Sequence, residues 1–187
     1  MLSGRRLDLL DPSPLDIEIE DIALGLSRVA RWNGQTSGNH GFSVAQHSLV
    51  VLTFLDKAVK RPSRELRLAA LLHDASEFVT ADLITPFKTV IGDAYKVIEH
   101  RVQRAVHLRF GLPAVLDEDW HIAIKQADRQ SAFLEAIELA GFTEKEARQV
   151  FKFRNKRPEM SLKPLPPEEA RERFLRRFRL LAPSHSP

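Results

Sequence analysis

Residues 71–77 read Leu71-Leu72-His73-Asp74-Ala75-Ser76-Glu77: an imidazole and a carboxylate side by side, closing an apolar run, with a second carboxylate just beyond. Polar and charged groups in apolar surroundings are costly unless something compensates them. A bound cation is the obvious compensation. On a helix His73 and Asp74 stand about 100° apart, so both can lean toward one point between helices. Two further residues can join them. His47 sits in the first turns of a preceding helix, and Asp128 lies in Ile124-Lys125-Gln126-Ala127-Asp128, where apolar neighbours put it near the buried side. Two imidazoles and two carboxylates suit one borderline or fairly hard divalent ion: Mn, Co, Fe, Ni, Zn or Mg. Four protein ligands leave open positions for water and a substrate oxygen. Glu77 falls one turn after His73, on the same face, where it can handle the proton of an attacking water. Asp82, in the loop that follows, is the candidate for proton transfer to a leaving group.

Positioning these residues takes several helices. Pro12 and Pro14 keep residues 1–14 irregular, and Asp16-Ile17-Glu18-Ile19 alternates like a short extended piece. Helical spacing follows from Ile22 through Leu26 to Val29. Residues 32–41 hold three glycines and form a loop. Ser43 caps the helix that bears His47, and Ser63 caps a nearly apolar helix running to His73 and beyond, which should be central and buried. Asp82-Leu83-Ile84-Thr85-Pro86 breaks it, leaving 82–88 as a loop wall. A long helix spans about 93–110 and stops at Gly111 and Pro113. Asp117 or Asp119 opens the helix bearing Asp128, and Thr143 with Glu146 has capping-box spacing. Residues 155–167 contain four prolines and form a linker, followed by a basic amphipathic helix that Pro167 starts and that ends near Leu181. The fold class is all-α, a single domain over 1–187 with its metal-site core at about 28–140 and the linker and basic helix at 155–181.

Composition narrows the setting. A chain of 187 residues with 43% hydrophobic content can bury a real core. With no cysteine, disulfides and thiolate metal sites are excluded. No stretch reaches the roughly 18 apolar residues that a membrane span needs, and no signal peptide is read at the start, so a cytoplasmic protein is the default. The net charge of +3 is uneven: residues 1–151 hold 18 Lys+Arg against 21 Asp+Glu, and residues 152–187 hold 10 against 4. Such a tail suits a solvated helix face packed back on the domain better than a nucleic-acid or membrane surface. His40, His100, His107 and His121 read as surface or core histidines.

The residues resemble the HD-domain metal-dependent phosphohydrolases, and more narrowly the small HD-domain 5′-deoxynucleotidases with their phage-related and bacterial relatives. The matching stretches are Arg31-Trp32, Ser43-Val44-Ala45-Gln46-His47-Ser48, Leu72-His73-Asp74-Ala75-Ser76-Glu77, Asp82-Leu83-Ile84-Thr85-Pro86-Phe87-Lys88 and Lys125-Gln126-Ala127-Asp128. The resemblance implies that His47, His73, Asp74 and Asp128 bind the metal, that Glu77 assists the water, and that Asp82 lies near the ester and sugar. It also implies that Arg31 meets the phosphate and Trp32 packs on the nucleoside, with Lys88 adding positive charge at the mouth. A small-molecule nucleotide substrate and a homodimer follow from the same resemblance. Phosphodiesters, guanosine tetraphosphate or nucleoside triphosphates are the alternative substrates, and a non-catalytic nucleotide-binding module is the alternative outside enzymes. One departure stands out: these nucleotidases usually carry Glu before the first metal histidine, where this chain has Gln46.

Overall fold

Side-chain caps set the starts of three α-helices, among them the one that carries His47. The computed structural model describes residues 1–183, so the last four residues of the expected 1–187 domain lie outside the described residues. After a single 3-10 turn at Pro14–Asp16, only Ile17 and Glu18 are extended before α1 (Ile19–Arg28) begins. Ser43 accepts from the Gln46 N–H and opens α2 (Val44–Ala58). In the same way Ser63 accepts from Leu66 N–H and opens α3 (Arg64–Leu71). The chain continues through α4 (Glu77–Thr80), α5 (Thr85–Ile91), α6 (Asp93–Arg109) and α7 (Glu118–Glu138). Thr143 and Glu146 make the complete capping box of α8 (Glu144–Val150), and Pro167 stands at the start of α9 (Pro167–Leu181). No strand occurs among the described residues; the one bridge pairs Ala30 with Ser43, flanking the loop that leads to α2.

Two expectations are corrected. The central helix does not run through His73 to Glu77: α3 ends at Leu71, and residues 72–76 form successive turns before α4. A tertiary partner replaces the missing helical bonds. Gln103 of α6 donates to the Leu72 carbonyl at 2.7 Å and accepts from the Ser76 N–H at 3.0 Å. Residues 85–88, expected as loop, belong to α5. Pro86 sits in its first turn, where a missing N–H costs nothing.

The main core gathers residues from Ile17 to Ala182, with α2 packed on α1, α3, α7 and α9. On α9, Phe174, Phe178 and Leu181 face inward and Arg173, Arg176 and Arg179 outward, so the basic helix is a packed-back face. Phe178 meets Phe110 edge-on at 4.9 Å. Burying each such side chain contributes about 1.5–3 kcal/mol. A smaller cluster joins Phe133 and Ala136 of α7 to Ala147 and Phe153. Between α1 and α4 the approach is close: a Cβ on Gly25 would stand 2.8 Å from Phe78 Cβ and 2.9 Å from its carbonyl oxygen. Among the described residues, no helix is long and apolar enough to cross a membrane.

Candidate active site

Two helices and the turn after α3 deliver the polar cluster. His47 comes from the first turn of α2, His73 and Asp74 from residues 72–76, and Asp128 from the middle of α7. His47, His73 and Asp128 each offer one donor atom, all within 4.8 Å of one another. The two Nε2 atoms are 3.3 Å apart, and Asp128 Oδ1 lies 3.4 Å from His47 Nε2. Asp74 stands at the edge of this trio, its Oδ2 3.1 Å from His73 Nε2 and 3.5 Å from His47 Nε2.

Both imidazoles are fixed from behind. His47 Nδ1 meets Glu135 Oε1 at 2.6 Å, and His73 Nδ1 meets the Ala70 carbonyl at 2.9 Å. A hydrogen on each Nδ1 satisfies those acceptors and leaves both Nε2 lone pairs facing the cluster, the orientation that metal-bound histidines use. Two bare ring nitrogens this close repel each other unless a positive charge lies between them. Their separation is also that of neighbouring ligands on an ion that holds nitrogen at about 2.1 Å, which is roughly 3 Å. The donor set therefore fits a divalent ion.

Glu135 escaped the sequence reading. It is fully buried and accepts four hydrogen bonds: from His47 Nδ1 and Ser131 Oγ on one oxygen, from Arg31 Nε and Trp32 Nε1 on the other. Burial opposes its charge, but Arg31 and then His47 outweigh that and hold its pKa far below the usual range. For His47, burial and the Arg31 charge oppose protonation; Glu135, Asp128 and Asp74 outweigh them and raise its pKa well above the ordinary value. Burial likewise works against ionised Asp74 and Asp128, yet the two imidazoles keep both pKa values low.

Arg31 is nearly buried and bridges carboxylates: Glu135 at 3.0 Å, Asp82 at 3.4 Å and Asp74 at 4.0 Å. Trp32 adopts a left-handed backbone (φ 58°), donates to Glu135, and packs its ring on Phe142 and Phe151 at 5.8 and 6.2 Å. Its indole is thus committed to the smaller core cluster. Lys88 Nζ pairs with Glu99 at 3.0 Å and stands 3.7 Å from Glu77. Glu77 has a buried oxygen, Oε2, that no described residue meets. Burial, then the charges of Asp74 and Asp82, push its pKa to about 9. Burial and Asp74 also raise Asp82. Gln46 turns away from the cluster and donates to the Lys163 carbonyl at 2.7 Å while accepting from the Leu165 N–H at 3.0 Å. An amide makes both bonds; a glutamate in its place would lack the donor.

A cavity of about 650 Å³ opens from His73, Asp74 and Asp128 outward between α6 and α7. His100, Gln103, Arg104 and His107 line it as one helical stripe of α6. Glu118, His121 and Lys125 continue the Asp128 face of α7, and residues 114–116 close the remaining side. Three of the histidines read as surface or core side chains thus face one cavity. Arg31, Trp32, Glu77, Asp82 and Lys88 are not among its walls.

The cluster of two histidines and two aspartates, with a glutamate beside them, sits on a chain whose family makes it a hydrolase of the HD phosphohydrolase type. More narrowly, residues 24–179 match the model of the family described as 5′-deoxynucleotidase YfbR-like, and the chain belongs to that family. The family implies a divalent metal. An uncharacterized protein of Rhodobacter capsulatus is 52% identical over 192 residues, covering 100% of this chain and 96% of that protein. Protein YfdR of Escherichia coli, also uncharacterized, is 35% identical over 101 residues, 54% of this chain and 51% of YfdR. A protein named 5′-deoxynucleotidase from an Enterobacter species is 31% identical over 119 residues, 51% of this chain and 60% of that protein. The match to those last two spans little more than half of their length.

Proposed function

We propose that this chain hydrolyses the phosphomonoester of (deoxy)nucleoside 5′-monophosphates, with His47, His73, Asp74 and Asp128 holding one divalent ion. The convergence of two imidazole Nε2 atoms 3.3 Å apart with Asp128 carries the reading, on a chain of this family. Such an ion would polarise a phosphate oxygen and ease deprotonation of a water.

The side chains do the rest. Glu135 holds the His47 ring and the Arg31 guanidinium at once, so the ligand and the cation keep a fixed relation. Arg31 and Lys88 bring positive charge toward the phosphoryl oxygens. Trp32 contributes by holding Glu135. Glu77, with its free buried oxygen, orients the attacking water; a divalent ion at the site would offset the Asp74 and Asp82 charges that join burial in pushing its pKa up, leaving a carboxylate that takes the proton. As the new P–O bond forms, the P–O5′ bond breaks. Asp82, whose pKa is raised, supplies a proton to the departing alkoxide, giving nucleoside and phosphate. A cytoplasmic setting and a homodimer, expected from composition and from the resemblance, belong to the same proposal.

The test is phosphate release by the purified protein from a panel of deoxynucleoside and ribonucleoside monophosphates with each divalent metal. Free phosphate, not pyrophosphate, is the expected product, and no release from any monophosphate would sink the reading. Asp74→Ala should lose bound metal and turnover together; metal retained at full stoichiometry would contradict the ligand assignment.

A further inference from the structure

We propose that Tyr95 and Glu99 of α6 are positioning residues for the reaction: together they hold the Lys88 ammonium beside Glu77, where it meets the phosphate of the substrate. This rests on the reading of the chain as a nucleotide phosphomonoesterase. Gly92, in a left-handed conformation (φ 79°), turns the chain between α5 and α6. Lys88 of α5 thereby lies against Tyr95 and Glu99, which stand four residues apart on one face of α6. Glu99 Oε1 accepts from Lys88 Nζ at 3.0 Å, and the ammonium is 5.3 Å from the centre of the Tyr95 ring. A carboxylate and an aromatic face both attract an ammonium, and two partners fix a flexible lysine better than one.

Held there, Lys88 Nζ is 3.7 Å from Glu77 Oε1. The other oxygen, Oε2, is the one that no described residue meets, so the lysine neighbours the carboxylate without occupying the oxygen assigned to the water. Burial opposes the charge on Lys88, but Glu99, then Glu77 and Tyr95, outweigh it and raise the pKa, so the side chain stays a cation. A lysine that only joined α5 to α6 would keep its ammonium in water. This side chain is 27% exposed, and its head is turned to the glutamate that handles the water.

Tyr95 has a second contact. Its hydroxyl donates to the Ala81 carbonyl at 3.0 Å. Ala81 (φ 62°, ψ 161°) holds a backbone conformation that glycine alone adopts freely, and such a conformation persists only where its surroundings fix it. Asp82, the next residue, supplies the leaving-group proton in the proposed reaction. One face of α6 thus sets both the cation for the phosphate and the backbone that leads into Asp82.

The test is a double-mutant cycle on the full-length, metal-loaded protein, with a deoxynucleoside 5′-monophosphate as substrate and inorganic phosphate as calorimetric ligand. Lys88→Met should raise KM and weaken phosphate binding about tenfold, and Glu99→Gln, which keeps the shape, about fivefold. Because Glu99 acts through Lys88, adding Glu99→Gln to Lys88→Met should change neither value by more than about twofold. Tyr95→Phe keeps the ring, so phosphate affinity should hold within about twofold while kcat falls about threefold; Tyr95→Leu should lower both. Additive losses in the double variant would overturn the proposal, making the pair a tie between helices and no more. Unchanged KM and phosphate affinity in Glu99→Gln would overturn it too. If wild type releases no phosphate from any monophosphate, the hydrolase reading fails, while the phosphate titrations still decide whether Tyr95 and Glu99 set the Lys88 cation. Absent phosphate binding by wild type counts against that role.

Discussion

Glu135 has both carboxylate oxygens engaged by two donors each, in a site without water access. Removing it leaves the Arg31 charge and the His47 ring without their shared partner. Glu135→Ala should therefore destabilise the protein by about 3–5 kcal/mol, read by chemical denaturation. Glu135→Gln keeps the shape and should fold, but with metal affinity reduced about 10–100-fold, read by competition with a chelator. His107 gives a pH dependence of its own. Burial lowers its pKa below 6.5 in the folded state, so the unfolded chain takes up the proton first. Its stabilising contribution is complete above about pH 6.5 and is lost as pH falls through the folded-state value. Between about pH 8 and pH 5, His107→Gln should lose less Tm than wild type. At this scale the sequence was legible where a residue type is rare in its surroundings. His47, His73, Asp74 and Asp128 stood out, and the structure brings them together. Glu135 did not stand out, though it lies seven residues after Asp128 on the same helix face with Ser131 between. One carboxylate in a charged helix looks like any solvated one until its partners from residues 31 and 47 are known.

Helices declare their starts more clearly than their breaks. Ser43, Ser63 and Thr143 cap as their spacing implies, since a cap is a local bond. The end of α3 at Leu71 was hidden, because residues 71–77 contain neither Gly nor Pro. The break depends on a side chain about thirty positions away. Gln103→Leu removes both of its bonds to the 72–76 turn. Expected is a fall in kcat with bound metal weakened, and a stability loss of about 1–3 kcal/mol, checked by steady-state kinetics and thermal melting. Gln103→Glu keeps the acceptor for Ser76 and should fall between the two. α5 was missed for a different reason: Pro86 was read as a breaker, although a proline in the first turn starts a helix as readily as it stops one. The contact of α1 with α4 makes a further prediction. Gly25→Ala would press a methyl group against the backbone of Phe78, the neighbour of Glu77. The variant should lose about 1–3 kcal/mol and turnover should fall with it.

For the whole molecule, the all-helical class and the packed-back tail follow from periodicity, because burying one face of each helix is a collective demand. Which helices meet, and which cavity they leave, is set by side-chain packing that periodicity does not encode; the stripe His100, Gln103, Arg104, His107 was present in the sequence without a facing wall. Gln46 ties two distant stretches of the chain together, the first turn of α2 and residues 163 and 165. That tie has a consequence for proteolysis. Residues 155–166 contain no helix, yet their C-terminal end is pinned by Gln46 and α9 beyond it is part of the core. A protease in limiting amount should nick the chain around Lys156, where the side chain is 85% exposed, and spare the pinned segment. The two fragments should then stay together through gel filtration, as a nicked protein rather than a shortened one.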